Sequence, residues 1–197
     1  MATNYKLCFA SNNQNKLKEI YRLVSRSISV VGLKEIGFDG DIAETGNTLE
    51  ENAEIKAKTI SNQYGIDCFA DDTGLEVAAL DGAPGIFSAR YAGEPHDDSK
   101  NLQLLLKNML DQPNKSARFV TVIALFFKGQ IHFFKGVVEG HITMQPAGES
   151  GFGYDPVFIP KGFHRTFAEM SLEEKNSISH RGKAMNKLAN FLNNLLS

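Results

Sequence analysis

The sequence predicts an α/β protein with a mixed β-sheet, and three observations carry that prediction. Strand-like and helix-like runs alternate from Tyr5 to Leu110. The run Ala117 to Phe127 is apolar on both faces, as a central strand of a sheet is. It turns at Lys128-Gly129-Gln130 directly into a second run, Ile131 to Gly140, and such a hairpin has no place in an all-parallel sheet.

Each element has its own signal. Tyr5 to Ala10 reads as a strand, and Ser11 to Asn15 as a polar loop of cap formers. Lys16 opens a helix whose stripe is Leu17, Ile20, Tyr21 and Val24. Ile28 to Leu33 is a second strand, and Gly37 to Gly46 a loop carrying Asp39, Asp41 and Glu44. Thr48 with Glu51 forms a capping box for a helix with the stripe Leu49, Ala53, Ala57, Ile60 and Tyr64, ended by Gly65. At 100° per residue Lys58 falls on the solvated face of that helix. Lys56 falls at the edge of the stripe, pointing inward, with Asn52 beside it at i−4; a snorkelling lysine whose stem covers apolar surface is the alternative.

Cys68 to Ala70 reads as a short buried strand that stops at a turn, Asp71-Asp72-Thr73-Gly74, before a second apolar run to Leu80. Asp81 to Gly85 is a Gly/Pro loop. Asp97 or Asp98 caps a helix through Leu110, with Leu102, Leu105, Leu106 and Met109 inward. Pro146 to Pro156 is a glycine-rich loop, followed by a short strand from Val157 to Ile159. Ser171 with Glu174 is a second capping box, opening a helix to Ser177. Ser179 to Gly182 reads as a turn, and the last helix runs from Lys183 to Leu196 with Ala184, Leu188, Phe191, Leu192 and Leu195 inward.

Composition narrows the function. The chain has 197 residues, enough for one domain or two interdigitated lobes. Hydrophobic residues make up 42% and charged residues 22%, as in globular proteins. A formal net charge of −2 argues against a nucleic-acid polymer as partner, while local basic clusters could still hold a small anion. Cys8 and Cys68 both sit in apolar runs, so buried free thiols are expected rather than a disulfide. There is no signal-peptide pattern and no run long enough to span a membrane, so a cytoplasmic protein is expected.

Four constellations carry chemistry. Ser11 to Asn15 with Lys16 joins a strand, a polar loop and a helix start, which is a phosphate cradle in kind. It lacks the glycines of a Walker A loop, and simple capping by Asn and Ser accounts for it equally. Asp71 and Asp72 lie where open α/β sheets place ligands, and paired carboxylates there ask for a cation. With Glu44 they could hold Mg²⁺, which takes one or two carboxylates and fills its other positions with water and phosphates. Asp and Gly are also common in ordinary turns, and Asp39 and Asp41 read as solvated charge. In Gly151-Phe152-Gly153-Tyr154-Asp155-Pro156 an aromatic between glycines could lie flat on a planar base; a β-turn with a core aromatic is the alternative. Lys175, His180 and Arg181 offer donors to a ring carbonyl such as the O6 of a 6-oxopurine, or simply decorate a helix end. Together these are the parts of a nucleoside triphosphate site.

Six motifs stand in order: Ser11 to Lys16; Thr45-Gly46-Asn47-Thr48 with Glu51-Asn52-Ala53 and Lys56-Ala57; Ala70 to Leu75; Gly82 to Gly85 with Ser88 to Tyr91; Gly151 to Pro156; and Glu174-Lys175 with Ser179 to Gly182. In these the chain closely resembles the inosine triphosphatase family, pyrophosphatases for non-standard purine nucleotides. The resemblance covers nearly the whole chain. It implies hydrolysis of dITP, ITP or XTP to monophosphate and pyrophosphate, Mg²⁺ dependence and a homodimer. It also implies an elongated mixed sheet flanked by helices, with two lobes around a central substrate groove. By position, Asp72 resembles the acid that activates water and also a metal ligand, and Glu44 the other metal ligand. Ser11, Asn12, Asn13, Gln14, Asn15, Lys16, Lys56 and Thr73 would hold the triphosphate, with Lys16 and Lys56 neutralising the leaving pyrophosphate. Asp71 would share or steer the metal. Phe152, Gly153, Tyr154, Asp155, Lys175, His180 and Arg181 would hold base and sugar. A pyrophosphatase for other modified nucleotides, or a non-catalytic nucleotide binder, are the rival functions.

Overall fold

The computed structural model describes residues 5–23 and 28–196. Val24, expected in the first helical stripe, lies outside them. The strands among the described residues are β1 (Tyr5–Phe9), β2 (Ile28–Gly32), β3 (Cys68–Val77), β4 (Pro84–Gly85), β5 (Ser116–Phe127), β6 (Gln130–Ile142) and β7 (Phe158–Pro160). The helices are α1 (Gln14–Leu23), α2 (Leu49–Tyr64), α3 (Asp98–Asn108), α4 (Leu172–Ile178) and α5 (His180–Leu196). The strands pair in the order β2-β1-β3-β5-β6-β7, with β4 on β3. β1 is parallel to both β2 and β3, whereas β4 and β7 pair antiparallel, so the sheet is mixed as expected.

The chain divides into two compact units. The first comprises residues 1–72, 121–135 and 181–197, and the second 73–120 and 136–180. In the first unit the strands are covered on both faces. Leu7, Phe9 and Phe69 pack with Leu17 and Ile20 of α1 and with Ala184, Leu188 and Leu192 of α5. Cys8, Ala10, Cys68 and Ala70, one residue out of phase, pack with Ala53, Ala57 and Ile60 of α2. Cys8 and Cys68 are register partners, both buried and both free. The second unit has one core, built on Phe119, Phe158 and Phe167 with Leu105 and Met109 of α3.

Three local expectations need correcting. The turn at Asp71-Asp72-Thr73-Gly74 does not exist; β3 runs unbroken through it, because each acid meets buried cations instead of solvent. The turn at Ser179 to Gly182 is also absent. Ser179 alone is extended (φ −68°, ψ 160°), so α5 already opens at His180. In α5, Leu195 is 51% exposed rather than inward. Helix capping holds in half: Thr48 Oγ1 accepts from Glu51 N–H, but the Glu51 carboxylate reaches back to Asn47 N–H. Ser171 likewise accepts from Glu174 N–H while the Glu174 carboxylate goes to Arg165. The hairpin turn between β5 and β6 is Lys128-Gly129 with φ of 47° and 79°, both positive as a tight two-residue hairpin requires.

Gly74 shows how closely β3 is approached. A Cβ there would lie 2.7 Å from the carbonyl oxygen of Gly85 on β4, a backbone atom that cannot swing aside. Gly74→Ala is expected to destabilise the protein by about 1–3 kcal/mol, measured by urea denaturation.

Candidate active site

Strand alternation builds the acidic part of the site. Asp71 follows Phe69 toward α1 and α5, and Asp72 follows Ala70 toward α2. The two neighbouring carboxylates are therefore sent to different partners within the first unit.

Asp71 is fully enclosed. Its Oδ1 accepts from Lys16 Nζ at 2.9 Å and its Oδ2 from Arg181 Nε at 3.1 Å. Arg181 Nη1 also donates to Glu19, another buried acid. Burial by itself would raise the Asp71 pKa, but Lys16 and Arg181 outweigh it and hold the carboxyl well below the usual range. Burial pulls Lys16 below its ordinary value; Asp71 opposes that pull, while Lys56 and Arg181 add repulsion.

Asp72 is held differently. Lys56, on the inner face of α2 as its position predicted, places Nζ 3.4 Å from Asp72 Oδ1 and 2.5 Å from Glu44 Oε1. One turn earlier on α2, Asn52 donates from Nδ2 to Asp72 Oδ2 at 3.2 Å. Burial raises the Asp72 pKa; Lys56 and Lys16 counter it, Glu44 and Asp71 reinforce it, and the net direction is upward. Burial lowers Lys56, but Asp72 and Glu44 more than reverse that and keep it an ammonium.

The phosphate-cradle loop is ordered by its own side chains. Asn13 Oδ1 accepts from the N–H groups of Asn15 and Lys16 and so caps α1. Ser11 Oγ accepts from Asn13 N–H. Asn12 Nδ2 reaches across to Gly40 O and to Asp41, tying the cradle to the loop that carries Glu44. Asp41 thus has a partner that its reading as solvated charge did not include. Gln14 and Asn15 are exposed.

In the second unit the expected aromatic platform is braced from beneath. Asp155 Oδ2 accepts from Phe152 N–H at 2.9 Å and from Lys175 Nζ at 2.6 Å, and both charged side chains are buried. Lys175 Nζ lies 5.0 Å from the centre of the Phe152 ring, a cation–π distance. Gly153 N–H donates to Asp98. His180 stacks on Phe119 with ring centres 4.5 Å apart and planes 16° apart. Thr73 begins this unit's part of β3.

Two of the expected base-binding residues make buried contacts of their own. Arg181 is buried in the first unit between Asp71 and Glu19, because the start of α5 faces the Asp71 side of the strand. Tyr154 is a core residue, 5% exposed, whose hydroxyl donates to Ser88 O, because the turn at Gly153 (φ 62°) swings it inward. Two residues of the site were not among the expected ligands. Asn52 stood out only by its i−4 spacing from Lys56. Glu19 had no signal, since its partner Arg181 is 162 residues away.

Comparison with known proteins agrees across the chain. The profile of the Ham1 family matches residues 7–191. A dITP/XTP pyrophosphatase of Flavobacterium psychrophilum is 51% identical over 189 residues, spanning 96% of this chain and all of that protein (100%). The dITP/XTP pyrophosphatase of Porphyromonas gingivalis is 52% identical over 188 residues, spanning 95% of this chain and 97% of its own. The solved structure of a HAM1 protein from Coxiella burnetii has a TM-score of 0.89 at 41% identity, covering 96% of this chain and 99% of that one.

Proposed function

This chain belongs to the Ham1 family, and we infer that it hydrolyses the non-standard purine nucleoside triphosphates dITP, ITP and XTP to the monophosphate and pyrophosphate. It is a hydrolase that clears such nucleotides from the pool. The observation that carries the chemistry is Asp72, a buried acid of raised pKa whose two oxygens are held by different donors, Lys56 and Asn52.

Water attacks the α-phosphorus and pyrophosphate leaves. Asp72 takes the proton of that water, and a raised pKa makes it a better acceptor than an exposed aspartate. Lys16 and Lys56 neutralise charge on the departing pyrophosphate, and positioning supplies much of the remainder. Asp71 stays outside the reaction in this reading. Already paired with Lys16 and Arg181, it holds Lys16 in place.

Mg²⁺ suits the donor set. Glu44 and Asp72 both lie against the Lys56 ammonium, which places the two carboxylates side by side. Among the described residues no three His, Cys, Asp or Glu are grouped to hold a metal by themselves. Mg²⁺ needs only one or two carboxylates beside substrate phosphates, and Glu44 and Asp72 would provide them. When bound, it would neutralise phosphate charge and make water more acidic.

Base recognition belongs to Phe152 as stacking surface, with Lys175 and His180 as donors; Gly153 and Asp155 shape and brace the platform. Inosine and xanthine offer a ring carbonyl where adenine offers an amino group, and facing donor against donor leaves a polar group unpaired. The working enzyme is a homodimer in the cytoplasm. The homodimer rests on the family resemblance, and the cytoplasm suits free nucleotides as substrates; among the described residues no helix is long and apolar enough to cross a membrane.

A panel of triphosphates with pyrophosphate detection tests this function. Pyrophosphate should appear first from ITP, XTP and dITP, with ATP about 10- to 100-fold slower. Equal rates on ATP and ITP, or orthophosphate as the first product, would overturn it. A preference for modified pyrimidine nucleotides would favour the rival pyrophosphatase.

A further inference from the structure

We infer that Asn52 is a positioning residue that locks Asp72 and the loop bearing Glu44 into one geometry. The inference rests on the reading of Asp72 as the water-activating acid. Asn52 is fully buried at 0% exposure, and a buried amide is costly unless both ends are satisfied. Its Oδ1 accepts from Gly46 N–H at 2.8 Å, and its Nδ2 donates to Asp72 Oδ2 at 3.2 Å. These partners fix which way the amide points: reversed, it would set oxygen against carboxylate and NH₂ against N–H.

Lys56 sits one turn later on the same face of α2 and holds the other Asp72 oxygen together with Glu44. Helix α2 thus reaches both oxygens of Asp72 and both ends of the segment 44–46. The two contacts differ in kind. An ammonium is a point charge with rotatable donors, so Lys56 attracts without fixing direction. The amide is planar, so Asn52 orients the carboxylate. Helix capping does not require this residue, because Thr48 and Glu51 already serve the first turn of α2. The loop is also pressed directly onto it: a Cβ at Gly46 would lie 2.8 Å from Asn52 Oδ1 and 2.6 Å from Glu51 Cβ.

The test is ITP kinetics on Asn52→Asp, Asn52→Ser and Asp72→Asn, with thermal melting and calorimetric titration of inosine monophosphate on each. Asn52→Asp keeps the acceptor for Gly46 but turns a carboxylate toward Asp72. Asn52→Ser removes the amide without adding charge. Both should lower kcat by about 30-fold or more, while KM and monophosphate affinity stay within about threefold. If Asn52→Asp melts early, Asn52→Ser decides. Wild-type kcat in the Asn52 variants beside an inactive Asp72→Asn would overturn the role of Asn52 and leave that of Asp72 standing. Parallel losses in kcat, KM and monophosphate affinity would make Asn52 merely structural. Near-full turnover by Asp72→Asn would remove the premise itself.

Discussion

Asp72→Asn should cut turnover of ITP about 1,000-fold at saturating Mg²⁺, because the variant keeps the shape of the side chain and loses its proton acceptor. The fold should scarcely notice. Burial disfavours the ionised form of Asp72, so removing its charge removes a desolvation cost, and Lys56 still has Glu44. The expected result is therefore an inactive protein with a melting temperature close to that of the wild type. Pyrophosphate release and thermal melting on one preparation check both halves. Near-full turnover would dismiss Asp72 as the acid.

Asp71→Asn should do the reverse in stability, lowering it by about 3–5 kcal/mol, because the change leaves Lys16 and Arg181 buried beside a neutral amide. Urea denaturation at pH 7 measures the loss. Its pH dependence has a definite sign. The folded-state pKa of Asp71 lies below its unfolded value of about 3.9, so its contribution is fully present above that pH. It is lost as pH falls through the folded value. The gap between wild type and variant should thus be constant from pH 7 to about 5 and narrow below about 4. A gap below about 1 kcal/mol at pH 7 would mean that Asp71 is not the anchor of Lys16 and Arg181. Neighbours in sequence, the two aspartates are expected to fail in opposite ways.

Much of the site is legible in the residues themselves. Lys56 announces itself by falling on the wrong side of an amphipathic helix, and the structure buries it at 8% exposure between two acids. The platform at Phe152 is marked by flanking glycines and by an acid three residues on, which braces it. The strands, helices and the β5–β6 hairpin follow from apolar periodicity, since period 2 and period 3.6 are local properties of the chain. Errors fall where the deciding partner is remote. Asp71-Asp72-Thr73-Gly74 has the composition of a turn, and nothing nearby shows that Lys16 and Arg181 will arrive to neutralise it inside a strand. Arg181 reads as a ligand donor from its polar neighbourhood, and nothing nearby in sequence shows that its Nε and Nη1 also donate to Asp71 and Glu19, 110 and 162 residues away.

The α/β class, the order of the elements, the family resemblance and the identity of the acids and lysines are all legible in the chain alone. Each of these is encoded in residues close together along the chain. Which partners each acid meets is settled by tertiary contacts alone. Alternation along one continuous strand turns Asp71 toward Lys16 and Arg181, and Asp72 toward Lys56 and Asn52. One carboxylate is thereby held ionised and the other raised in pKa, a distinction set by burial and charges brought in from 16 to 110 residues away.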